Sequence, residues 1–221
     1  NKLRGMFSIV IFDDLKKDIF VFRDHLGQKP LYYAYINKLL ILSSEIKDII
    51  FLARNTGHIL DDNQNSINKY LIRGWCEDDN ETFYQNIFSF PAGCYGKVDL
   101  HKIIIRKYWN LKIDDKIDFD EKKFEKKFEE NIKLHIRSDV PIALTLSGGF
   151  DSSSIVSTCL KLNYNNYKAF SLKFRDNDND ESHYIDKFVK KNKLNHEYVY
   201  VENSYHDNLL EEIISFQDEP I

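Results

Sequence analysis

The 221 residues carry a formal net charge of −4, from 31 Lys and Arg against 35 Asp and Glu, and are 43% apolar and 30% charged. That is enough chain for one large domain or two modest ones, and its balance offers no electrostatic case for nucleic acid or an anionic membrane. No apolar stretch reaches a membrane span, nothing at the start resembles a signal peptide, and Cys76, Cys94 and Cys159 form neither a metal-like pair nor an even disulfide set, so a reducing, cytoplasmic setting is expected.

The first hundred or so residues read as β-rich. An apolar run at 6–12, turn chemistry at Asp13-Asp14 and a second run at 18–23 are followed by strands at 31–36 and 39–42 joined by Asn37-Lys38. Such short runs at close spacing predict an antiparallel meander. Helices are expected over 45–54 and 66–73. Residues 88–91 then lead through Ala92-Gly93 to a hairpin of 94–99 and 103–109.

From about residue 111 the pattern changes. Phe124, Phe128 and Ile132 mark one face of a helix ending near Arg137, and the interleaved charges at 122–130 are its solvated face. Pro141 introduces Ile142-Ala143-Leu144-Thr145-Leu146, a run suited to a strand buried on both faces. A helix at 152–162, a strand at 168–174, a helix at 181–193, a strand at 197–201 and a helix at 206–216 follow. This alternation predicts a parallel sheet, making the chain α/β with an α+β first half.

Chemistry concentrates at Ser147-Gly148-Gly149-Phe150-Asp151-Ser152-Ser153, between a buried strand and a helix. The glycines permit close backbone approach, the helix start turns unpaired amides outward, and the serine hydroxyls add neutral donors: an anion site. The lysine and longer glycine spacing of a Walker A loop are missing. Asp151 would repel phosphates unless a divalent cation bridges them, so the loop suggests Mg²⁺-pyrophosphate with Asp151 as the metal ligand. The plainer reading, a strand-to-helix turn with serine N-caps, explains the glycines and serines but not the embedded aspartate.

The loop resembles that of the N-type ATP pyrophosphatases. Arg23-Asp24-His25-Leu26-Gly27-Gln28-Lys29-Pro30-Leu31-Tyr32-Tyr33 resembles the signature of class II glutamine amidotransferases. Ser43-Ser44-Glu45-Ile46-Lys47, Pro91-Ala92-Gly93 and Tyr108-Trp109 are similar to segments of glutamine-hydrolysing asparagine synthetases in order and spacing. The resemblance implies part of an antiparallel, Ntn-hydrolase-type amidotransferase domain over 1–112. Part of a parallel-sheet PP-loop ATP pyrophosphatase domain follows over 113–221. It implies small-molecule substrates (ATP, aspartate and glutamine) converted to asparagine, glutamate, AMP and pyrophosphate through β-aspartyl-AMP, with ammonia passed between the halves. Under it Ser147, Gly148, Gly149, Asp151, Ser152 and Ser153 carry ATP pyrophosphate, Asp151 holds Mg²⁺, Thr145 and Leu172 contact adenosine, and a homodimer is one open assembly.

The family's nucleophilic cysteine, its glutamine-binding arginine, a later serine-glycine ATP contact and the catalytic lysine match no position within the 221 residues. The expectation is a window of a longer protein, without glutaminase activity as it stands. Phe150, where leucine is commonest, is expected to pack beneath the loop. Arg23 and Asp24 suggest a strand-end ion pair, His25 a structural turn, and Tyr32, Tyr33 and Tyr35 core and domain contact. His196 suggests the nucleotide cleft or a cap, and Asp180-Glu181 and Asp218-Glu219-Pro220 are candidate cleft residues. Two alternatives remain: the same scaffold amidating a sugar, peptide or β-lactam-type carboxylate, and a non-catalytic nucleotide-binding homologue.

Overall fold

The computed structural model describes residues 3–74, 80–99, 102–114, 118–174, 180–201 and 207–219 and divides into two compact units, 1–113 with 206–221, and 114–205. Cys76 and Pro220 lie outside the described residues. No helix among the described residues is long and apolar enough to cross a membrane. The last helix, counted with the strand-helix half in the sequence pattern, groups here with the first unit.

The first unit holds two antiparallel sheets. β1 (Ser8–Asp13), β2 (Asp18–Arg23), β6 (Cys94–Asp99) and β7 (Lys102–Lys107) form one, in that order. β4 (Leu39–Ser43), β3 (Tyr32–Ile36) and β5 (Ile87–Ser89) form the other. The expected meander is therefore corrected: β2 does not pair with β3, but sets Val21 opposite Gly96, while β3 sets Ala34 opposite Ile87. The cause is the connection after β2. It is no tight hairpin but a loop wound on Asp24, whose carboxylate accepts the amides of Phe7, Leu26, Gln28 and Lys29 at 2.9–3.2 Å.

Val21, Leu31, Phe90 and Cys94 form a core that draws on both sheets. Gly96 makes room in it, since a Cβ there would lie 2.4 Å from Ile103 Cγ2 and 3.2 Å from the Phe90 ring. The other face of the smaller sheet is closed by α1 (Ile46–Asn55), which lays Ile46, Ile49 and Ala53 on Ala34, Ile36 and Ile87. α2 (Gln64–Arg73) starts on the Asn63 side chain, which accepts Ser66 N at 3.3 Å, and stops at Gly74.

In the second unit β10 (His196–Val201), β9 (Tyr167–Phe174) and β8 (Ile142–Thr145) form a parallel sheet with β9 central. α4 (Phe150–Lys161) and α5 (Ser182–Asn192) make the crossovers. Two successive right-handed crossovers in one direction place both helices on one face. There they share a core with α3 (Glu121–His135): Ile132, Leu146, Val156, Cys159, Tyr167, Ala169 and Ile185. β8 is thus not buried on both faces as its sequence suggests. Among the described residues it pairs with β9 alone, and Ala143 and Thr145 face outward and are exposed. The chain then passes to α6 (Asp207–Gln217) in the first unit.

Candidate functional site

The site starts where β8 ends. Leu146 N still donates to Phe170 O at 2.8 Å, but Leu146 O accepts the hydroxyl of Ser171. His196 Nε2 lies 2.8 Å from Ser171 Oγ, and burial lowers the pKa of that imidazole against the opposing charge of Asp186. His196 therefore neither lines the cleft nor caps a helix. It stands behind the serine that holds the last residue before the loop.

The chain then leaves the sheet through Gly148 at φ +82, and α4 begins at Phe150 with Gly149 as N-cap. The first intrahelical bond is Ser153 N to Gly149 O at 3.2 Å, so the amides of Phe150, Asp151 and Ser152 stand at the open start of the helix. The serines are not N-caps. Ser152 Oγ lies 3.0 Å from Ser147 Oγ and accepts Ser147 N at 3.1 Å, closing the loop on itself across the helix start. Asp151, in the first turn, is exposed. Phe150 does not pack beneath the loop: it is 86% exposed. Nine residues before buried Cys159, it falls on the opposite side of α4.

Beside the loop, at the carboxyl ends of the strands, opens a cavity of about 280 Å³. Thr145 and Leu172, the two expected adenosine contacts, line it with Phe170, Phe174 and Val199. Those last three were not singled out in the sequence, although the alternation 170, 172, 174 along β9 is the signal that finds Phe170 and Phe174. The acidic pair splits: Asp180 accepts Ser182 N at 3.3 Å and Ser182 Oγ at 2.6 Å as a local cap, while Glu181 lines the cavity.

Helix-start amides, three hydroxyls and a glycine turn suit an oxyanion, and the apolar cavity suits a flat base. Among the described residues no group of three or more His, Cys, Asp and Glu could hold a metal ion. Asp151 therefore fits Mg²⁺ only as a partner to phosphate oxygens, not as a preformed centre. Gly148→Ala tests the turn. A side chain there adopts left-handed backbone at about 1–2 kcal/mol, and its Cβ lies 3.2 Å from Ile185 Cγ1. The second unit is expected to melt roughly 5–10 °C lower; an unchanged melting curve contradicts this account of the turn.

In the first unit, Arg23 and Asp24, suggested as an ion pair, are each engaged with main chain. Arg23 donates Nε to Lys29 O at 2.9 Å, Nη2 to Gly27 O at 2.9 Å and Nη1 to Phe90 O, with Ser89 Oγ also 2.8 Å away. His25 packs edge-on to Phe7, Tyr108 and Trp109, a structural role as expected of a turn.

Residues 1–109 match the family model of the glutamine amidotransferase domain, and residues 123–221 that of asparagine synthase. A putative glutamine-hydrolysing asparagine synthetase 2 of Methanocaldococcus jannaschii is 32% identical, over 99% of this chain and 43% of its own length. Asparagine synthetase (glutamine-hydrolysing) 2 of Bacillus subtilis is 29% identical over 68% of this chain and 22% of its own. Amidase chyE of Penicillium rubens is 28% identical over 69% of this chain and 23% of its own. The chain thus spans less than half the length of these relatives. With both matches in this order and one relative aligned along almost all of it, the chain is a member of the asparagine synthetase-like group in which a glutamine amidotransferase segment precedes an asparagine synthase segment.

Proposed function

We propose that the second unit binds ATP for amide formation, with Ser147, Gly148, Gly149, Asp151, Ser152 and Ser153 on the pyrophosphate and Thr145 and Leu172 beside the adenosine. One observation carries the reading: the open helix start of α4 and the apolar cavity containing Thr145 and Leu172 adjoin, with Ser147 belonging to both. A phosphate chain and a base can then be held at once.

In the reaction this supports, a carboxylate of aspartate attacks the α-phosphate of ATP, its bond to pyrophosphate breaks, and ammonia from glutamine then displaces AMP from the acyl carbon. The helix-start amides and hydroxyls take up charge developing on the departing pyrophosphate. Asp151 would hold Mg²⁺, which would supply charge neutralisation. The first unit, with two antiparallel sheets and a covering helix, is read as part of an Ntn-hydrolase-type glutaminase domain.

A second acceptor on the same scaffold is the alternative. AMP release across candidate carboxylates, in a protein of its relatives' full length, separates the two; no stimulation by aspartate overturns the leading acceptor.

Calorimetry on this chain tests the site itself. ATP with Mg²⁺ is expected to bind, adenosine to bind more weakly, and Mg²⁺ alone to give no saturable heat. Saturable binding of Mg²⁺ without nucleotide contradicts the assignment to a single carboxylate.

A further inference from the structure

Two segments singled out in the sequence, 43–47 and the described residues Asp218 and Glu219, are not among the residues that line this site. Although far apart in the chain, they meet. α6 ends in Asp218 at φ +68, with its amide on Ile214 O at 2.8 Å. Few residues with side chains tolerate that backbone, and Asp is one of them. The turn carries the carboxylate off the helix, and Asp218 Oδ2 accepts the amide of Ile46 at 2.7 Å across 172 residues of sequence.

Ile46 opens α1, whose own N-cap residue, Glu45, makes no side-chain cap. Asp218 performs that task from the other end of the chain, and its charge faces the positive end of the helix. The side chain is only 7% exposed. Lys47 brackets it, with Nζ 3.6 Å from Asp218 Oδ1, 3.4 Å from Ser215 O and 5.6 Å from the centre of the Phe216 ring. The next residue repeats the pattern: Glu219 Oε1 accepts Phe83 N at 2.8 Å. Two consecutive carboxylates of the asparagine synthase match thus each take a main-chain amide of the amidotransferase match.

We propose that the start of α1 and the Phe83 amide form a recognition surface on the amidotransferase unit for the acidic turn Asp218-Glu219, and that this joint fastens the last helix of the chain to that unit. The occupant is a segment of this chain, already seated. The joint is independent of the ATP reading: loss of nucleotide binding leaves it standing, and its own failure leaves the loop untouched.

Hydrogen exchange on the whole chain tests it with two variants that part turn from cap. Asp218→Gly keeps the left-handed turn and removes the carboxylate; Asp218→Asn keeps both the turn and a capping oxygen. Asp218→Gly is expected to speed exchange at Ile46 by about tenfold, with β8 and β9 unchanged, and Asp218→Asn to restore most of the protection. Glu219→Ala is expected to do the same at Phe83. Wild-type protection at Ile46 in Asp218→Gly, or a loss spread equally over β8 and β9, overturns the joint.

Discussion

Asp151→Asn is expected to weaken Mg²⁺-dependent ATP binding by about tenfold or more while leaving the fold intact. Asp151 is the one carboxylate in a loop otherwise made of amides and hydroxyls, so its removal takes away the charge that pairs the metal with the phosphates. Asparagine has the same shape. Its loss of charge near the helix start costs about 0.3–1 kcal/mol, a few degrees of melting at most. In a protein of its relatives' full length the same change is expected to abolish ATP–pyrophosphate exchange and to spare hydrolysis of glutamine. Exchange retained at ordinary Mg²⁺ places the metal elsewhere; loss of both activities with a lowered Tm assigns Asp151 a structural role instead.

Asp24→Ala is expected to cost the first unit about 3–5 kcal/mol, the largest stability loss of any single change considered. Asp24 is 1% exposed and its carboxylate is the shared acceptor for four main-chain amides, which the substitution leaves without it. Asp24→Asn keeps one acceptor oxygen and is expected to lose about half as much. Burial alone raises the pKa of this group, but the bonds from Lys29, Gln28, Phe7 and Leu26 outweigh it and hold it below its ordinary value of 3.8. A depressed folded value means that the stabilisation is complete above the unfolded pKa. It is lost as pH falls from about 4 through the folded value, so acid should unfold the wild type over a window that Asp24→Ala lacks. Denaturant curves across pH 2–6 check this; parallel curves for the two proteins contradict it.

How much of this was legible in the sequence depends on how local the cause is. The phosphate-loop candidate follows from one stretch, because an apolar run, two glycines and a serine-rich helix start are neighbours in the chain. The pairing of β2 with β6 is not local. Spacing identifies hairpins, and the chain leaves the hairpin path only because Asp24 gathers the next five residues around itself. Placing the start of α4 at residue 152 instead of Phe150 misjudged Phe150, since two residues of helix turn that ring from the core to solvent. β8 reads as doubly buried from apolarity alone, whereas among the described residues the crossover helices cover only one face of its sheet. The Asp218 joint is least legible of all: only the missing local cap before Ile46 hints that a partner must come from elsewhere.

The central claim is that the turn from β8 into α4 holds the phosphates of ATP. Amide chemical shifts of the labelled chain, followed while ATP and Mg²⁺ are added, test it most directly. Saturable shifts are expected, largest at Gly149–Ser153, with accompanying changes at Phe170 and Leu172 along the cavity, and the same map lost in Asp151→Asn. Saturable shifts elsewhere with these amides unmoved contradict it.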